Sequence, residues 1–201
     1  MRQNFENYIV GLFCLFFLYY AAQAIFIRDI FRLFYVLIPA LVLSLLPILL
    51  EYKFRIRFPS GTKILVALAL LLHVAGGINR FYWMFAPYYD KLAHVVSACA
   101  LMMVIFCFFL VLDREGKQYS RRAVILSIIL ITTVFMVSWE VLEYYIDVLV
   151  QSSYNNGMAD TIGDLIANVI GMVIALILIR HHLKKIPAGK GIGWLLGGNE
   201  A

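Results

Sequence analysis

A chain of 201 residues that is 63% hydrophobic and 14% charged, with a mean hydropathy of +0.88, is not a soluble domain, where apolar usage is roughly 45–50% and charged usage about 25%. Its net charge of +5 and pI of 9.1 come from Lys and Arg gathered between apolar runs, so they read as topology determinants and exclude a nucleic-acid footprint. The expected class is an all-α integral membrane bundle in the cell membrane, in contact with the lipid bilayer.

A helix needs about 18 or more apolar residues to cross roughly 30 Å of hydrocarbon. About six such stretches follow one another. The first runs from near Tyr8 to Ile27; Ala22-Gln23-Ala24 has the small-x-small look of a cleavage site, but the long apolar run and weakly basic start favour an uncleaved span. The second, Ile30 to Leu50, contains Pro39 and Pro47, which should kink it. The third lies between Lys63 and Ile78, the fourth runs from Lys91 to Leu112, the fifth from Ala123 to Val150 and the sixth from Asp160 to Ile179. Short connections leave no soluble domain, so residues 1–201 read as one transmembrane helical domain with a basic, Gly-rich tail over about 180–201. The lysines of that tail are expected to meet lipid headgroups.

Positive charge collects in alternate segments. Lys53, Arg55, Arg57 and Lys63 follow the second span, Arg114, Lys117, Arg121 and Arg122 follow the fourth, and Arg180, Lys184, Lys185 and Lys190 follow the sixth. These segments should be cytoplasmic, with both termini inside and the segments around Arg28, Phe81 to Asp90 and Gln151 to Ala159 outside. Cys14, Cys99 and Cys107 fall inside spans without CxxC spacing, which fits buried thiols rather than a disulfide framework or zinc knuckle.

Acidic residues interrupt this apolar pattern, at about 2.5–3.5 kcal/mol for each ionised acid at the centre of an inserted helix. Asp90 and His94 are spaced i, i+4 at the start of the fourth span. Glu140, Glu143 and Asp147 follow at i, i+3, i+7 near the end of the fifth, and Asp160, Asp164 and Asn168 at i, i+4, i+8 open the sixth. Each set makes one helical stripe. Consecutive antiparallel helices can turn the stripes into one cleft, and at roughly 1.5 Å per residue Glu140 and Asn168 lie at similar depth, about 15 and 12 Å from their helix ends. Five carboxylates, Asp90, Glu140, Glu143, Asp160 and Asp164, cannot all be charged and unpaired there, so protons or a cation must be present. Asp160 also reads as an N-cap. His73, a turn before Gly76-Gly77, reads as a satisfied core histidine or a further ligand, and no serine with a paired histidine is recognisable.

PYYDKLAHVVSA (Pro87 to Ala98), WEVLEYY (Trp139 to Tyr145) and DTIGDLIANVIG (Asp160 to Gly171) resemble the YDxxxH, WExxE and DTxxDLxxNxxG blocks of the YjdF-like or DUF2238-like group of uncharacterised archaeal and bacterial multi-pass membrane proteins. LHVAGG at Leu72 to Gly77, which contains His73, is similar to a further block, although Ile78-Asn79-Arg80 stands where some members carry tyrosines. VanZ-like proteins show a more distant similarity. The resemblance implies where the site lies, not a reaction.

Two classes of function fit these residues. In one, Asp90, His94, Glu140, Glu143, Asp160 and Asp164 hold a divalent cation, Mg, Mn, Ca or Zn, with Glu143 or Glu140 left as general base of an enzyme acting on lipid or a lipid-linked substrate. In the other, the same residues with Asn168 and His73 form a proton- or cation-coupled transport or binding site, or a protonated packing network. Oligomeric state is not legible in the sequence.

Overall fold

The computed structural model describes residues 2–150 and 157–197, with side chains from residue 5. Helix α1 (Arg2–Phe26) is followed by a continuous rod made of α2 (Ile30–Arg32), a π-helical turn (Leu33–Leu37) and α3 (Ile38–Phe54). The π turn ends just before Pro39, and Pro47 lies inside α3. The chain continues through α4 (Thr62–Ile78), the short α5 (Phe81–Met84), α6 (Tyr88–Arg114), α7 (Arg121–Val150), α8 (Met158–Leu183) and a 3-10 turn, Ile192–Leu196. No strand occurs among the described residues.

Five of these helices are long and apolar enough to cross a membrane: Phe5–Phe26, Ile30–Phe54, Tyr88–Arg114, Arg121–Leu149 and Met158–Leu183. Thr62–Ile78, the third expected span, is apolar but shorter. The long helices expose apolar side chains such as Phe26, Leu126 and Leu149, as lipid-facing helices do, because lipid tails are as apolar as the side chains they touch. A helix can satisfy its own backbone polar groups, the requirement that makes helices the spanning form.

Helices α1, α3 and α4 pack on one another; α6, α7 and α8 form a second group, and α4 against α6 joins the two. The most buried helix is α6, and its Met102, Met103, Phe106 and Leu110 form a core with Ala175 and Ile179 of α8. Gly171 permits this closeness: a Cβ there would collide with the Val95 carbonyl oxygen and come within 3.0 Å of Ala98 Cβ. Small residues allow such approach where apolar burial drives nothing.

The basic end departs from the expected picture in two ways. The tail folds back on the bundle: Ile192 and Leu196 are buried, Arg57 N donates to Leu196 O at 2.7 Å, and Gly193 N donates to Asp113 Oδ2 at 2.8 Å. Its apolar side chains and backbone donors find partners in the bundle, so the tail is not a free strand, while Lys184, Lys185 and Lys190 stay exposed, as the expected contact with headgroups requires. Lys63 is not a loop charge either: it is 1% exposed, with Nζ 2.7 Å from Glu51 Oε2 and 2.8 Å from Asn7 Oδ1. Buried ammonium groups are tolerated only with such partners.

Candidate functional site at the far end of the bundle

The start of α6, the end of α7 and the start of α8 meet at the end opposite the tail. Helical periodicity puts Asp90, Lys91 and His94 on one side of α6, since residues three and four apart are neighbours. His94 is buried and stands at the centre. Its Nε2 lies 3.6 Å from Asp90 Oδ1 and 3.5 Å from Asp164 Oδ1; its Nδ1 lies 3.6 Å from Glu140 Oε1 and 3.3 Å from Asn168 Oδ1. Ligand atoms of Asp90, His94 and Asp164 fall within 4.8 Å of one another, and so do those of His94, Glu140 and Glu143.

Lys91 was missed as a member of this cluster. Its Nζ hydrogen-bonds Asp160 Oδ1 and, at 2.8 Å, Asp164 Oδ1, and lies 3.6 Å from Asp90 Oδ2. The protein thus supplies one of the cations that its buried acids require. Gly163 makes room for it, because a Cβ there would stand 2.8 Å from Lys91 Cε. The signal was present in the one-residue offset from Asp90 and the i, i+3 spacing to His94, but a helix stripe does not say which neighbouring face it meets.

Asp160 is not the N-cap of α8. Gly157 holds that position, with φ at 97°, and Asp160 sits in the first turn, paired with Lys91. It lies outside both groups of converging ligand atoms, as does half-buried Asp147. Residues 151–156 of the expected outer segment lie outside the described residues.

Glu140 is 4% exposed, and among the described residues neither of its oxygens has a hydrogen-bond donor; the Nδ2 of Asn168, 2% exposed, also has no partner among them. Taking a carboxylate out of bulk water is costly unless a donor or cation meets it, and the His94 ring, with Nδ1 3.6 Å from Glu140 Oε1, is the group that faces it. Glu143 is half-buried, and its Oε1 accepts from Trp139 Nε1 at 2.7 Å.

His73 has both ring nitrogens engaged, Nδ1 with Tyr82 OH at 2.7 Å and Nε2 with Ser97 Oγ at 2.9 Å. It is a satisfied histidine, and it does not join the ligand groups around His94. The Ser97 bond crosses from α4 to α6 and leaves no local mark, which is why no such pair is recognisable in the sequence. Tyr82 and Tyr89 pack on Gly76, where a Cβ would stand 2.5 to 2.9 Å from their rings. Tyrosines from the next elements thus occupy the neighbourhood of LHVAGG, although the residues directly after it are Ile78-Asn79-Arg80.

Fold and site define a multi-pass helical membrane protein that buries a carboxylate and imidazole cluster at one end of its bundle. The chain belongs to the family described as "Predicted membrane protein (DUF2238)", whose model matches residues 6–185. No curated protein and no solved structure matches it.

Proposed function

We propose that the cleft holds a divalent cation on His94 Nδ1, the Glu140 carboxylate and the Asn168 side-chain oxygen, and that the centre acts on a lipid or lipid-linked substrate. The observation that carries this reading is the buried Glu140 carboxylate, without a donor among the described residues and 3.6 Å from His94 Nδ1. That separation is too long for a hydrogen bond. Two ligand atoms that each lie about 2.1 Å from one ion in tetrahedral geometry stand roughly 3.4 Å apart, which matches it. The 3.3 Å between His94 Nδ1 and Asn168 Oδ1 suits the same ion. With Nδ1 on the ion, Nε2–H faces Asp90 and Asp164, the carboxylate–histidine–metal arrangement that fixes a ligand ring.

The other seat, on Nε2 with Asp90 and Asp164, is disfavoured by Lys91. Its Nζ is 2.8 Å from Asp164 Oδ1, so an ion on that oxygen would lie within about 5 Å of the ammonium and be repelled by about 7 kcal/mol at an effective dielectric of about 20. The imidazole and the small set of oxygen donors suit Zn or Mn better than Ca, which takes about 6–8 oxygens.

Three protein ligands leave a position for water, which the ion would activate. Glu143 keeps one oxygen beyond its Trp139 bond and serves as the general base for that water. Trp139 is 44% exposed on a helix that faces lipid, which favours a substrate arriving from the bilayer. Lys91 supports one competing reading, in which ion pairs and a proton on Glu140 balance the cleft without metal. Metal analysis of the detergent-purified protein after equilibration with Zn or Mn separates the two. The proposal expects about one ion per chain in the wild type and none in Glu140→Gln. Equal, background-level metal in both would leave only the protonated network.

A further inference from the structure

We propose a second binding site, for a phosphate group, at the opposite end of the bundle; it shares no residue with the His94 cluster. An open cavity of about 730 Å³ is lined there by Asn7, Glu51, Lys53, Arg55, Arg57 and Gly197, among others. Its one acid among the described residues is occupied from the protein side: Glu51 Oε1 accepts from Phe58 N at 2.8 Å, and Oε2 pairs with Lys63 Nζ at 2.7 Å. Lys63 also takes Asn7 Oδ1, which leaves the amide nitrogen as the donor of that side chain. With Glu51 matched by Lys63, the cavity presents an excess of cations, Lys53, Arg55 and Arg57, and no other acid among the described residues lines it.

Two of these cations are held by the backbone. Arg57 N donates to Leu196 O, and Gly197 lies against the Arg57 stem, where a Cβ would meet Arg57 Cβ and Cδ at 3.5 Å. The docked tail therefore braces Arg57 at the cavity edge. Arg55 ends α3 in the left-handed region, with φ at 50° and ψ at 44°, where glycine is the favoured residue. Arg28 and Arg80 also have positive φ, so the conformation does not mark a site by its own. The cavity that Arg55 shares with two further cations does.

Guanidinium forks match phosphate oxygens in pairs, and a lysine adds a point charge. Phosphate reaches this place in two ways, as an anionic lipid headgroup or as a soluble phosphate compound. Apolar Ile48 and Ile56 line the same cavity, and the cavity sits at the end of a membrane-length helix, so the lipid source is the one expected.

The test uses the full-length protein in detergent micelles, titrated with phosphatidylglycerol, phosphatidylcholine and inorganic phosphate, with binding read by native mass spectrometry and by competition. Phosphatidylglycerol should bind at least tenfold tighter than phosphatidylcholine, and Arg57→Gln and Arg55→Gly should each reduce that preference at least threefold. Arg55→Gly suits the backbone, so its melting temperature should equal or exceed that of the wild type while binding falls. If it unfolds instead, Arg57→Gln and Lys53→Gln carry the decision. Phosphatidylglycerol binding that phosphate cannot displace assigns the lipid source; phosphate binding with no lipid preference assigns the soluble one, and both support a phosphate site. No phosphate binding together with equal affinity for the two lipids, or folded variants that bind like the wild type, would overturn the proposal.

Discussion

Lys91→Met tests whether the ammonium is the internal counter-ion of the cleft. The substitution keeps an unbranched apolar stem beside Gly163 and removes the charge that meets Asp160, Asp164 and Asp90. Breaking a buried pair from one side costs about 3–5 kcal/mol. Asp164 is 3% exposed but Lys91 is 24% exposed, so the lower end, about 3 kcal/mol, applies after allowance for solvent screening. For a chain of this size that is a fall in melting temperature of about 6–12 °C. Asp164→Asn leaves an amide that no longer needs the cation, so the double variant Lys91→Met/Asp164→Asn should be more stable than the sum of the single effects by about 1 kcal/mol or more. Thermal unfolding of the four proteins in one detergent closes the cycle. Additivity within about 0.5 kcal/mol, or a Lys91→Met protein that melts with the wild type, would show that the ion pair does not hold the helices together.

Gly171→Ala should lower stability by about 1–3 kcal/mol, since the new methyl has only the Val95 carbonyl and Ala98 to move against; wild-type melting would mean that α6 and α8 are less closely fitted. Acidification from about pH 7 to about pH 4 should release the ion from the Glu140 and His94 site, because carboxylate and imidazole must be deprotonated to ligate; metal content unchanged over that range would point away from these ligands. For orientation, a cysteine at Met158 should react with an impermeant thiol reagent in intact cells and one at Ser120 should not, against a low background because Cys14, Cys99 and Cys107 are buried. The reverse pattern would put the acidic cleft in the cytoplasmic leaflet.

Much of the architecture was readable along the chain. The expected span from Lys91 to Leu112 lies within α6, Tyr88–Arg114, and that from Asp160 to Ile179 within α8, Met158–Leu183. Hydropathy works this well because each spanning helix must satisfy its own backbone and present apolar side chains to lipid, conditions met within one segment. The stripes on α6, α7 and α8 were readable for a similar reason, since residues three and four apart share a helix face whatever lies opposite.

Pairing between segments was a different matter. Lys91 was only the first residue of the expected fourth span until α8 brought Asp160 and Asp164 to it; Lys63 looked like a topology charge until α1 and α3 supplied Asn7 and Glu51; Ser97 had no partner until α4 placed His73 beside it. The tail, basic and rich in glycine, returned to Asp113 and, across more than half the chain, to Arg57. Local composition and period follow from what one helix needs in lipid, and they are written in consecutive residues. Which buried charge meets which depends on the rotation and depth of helices far apart in the chain, and there the cost of an unpaired ion in low dielectric selects the partner.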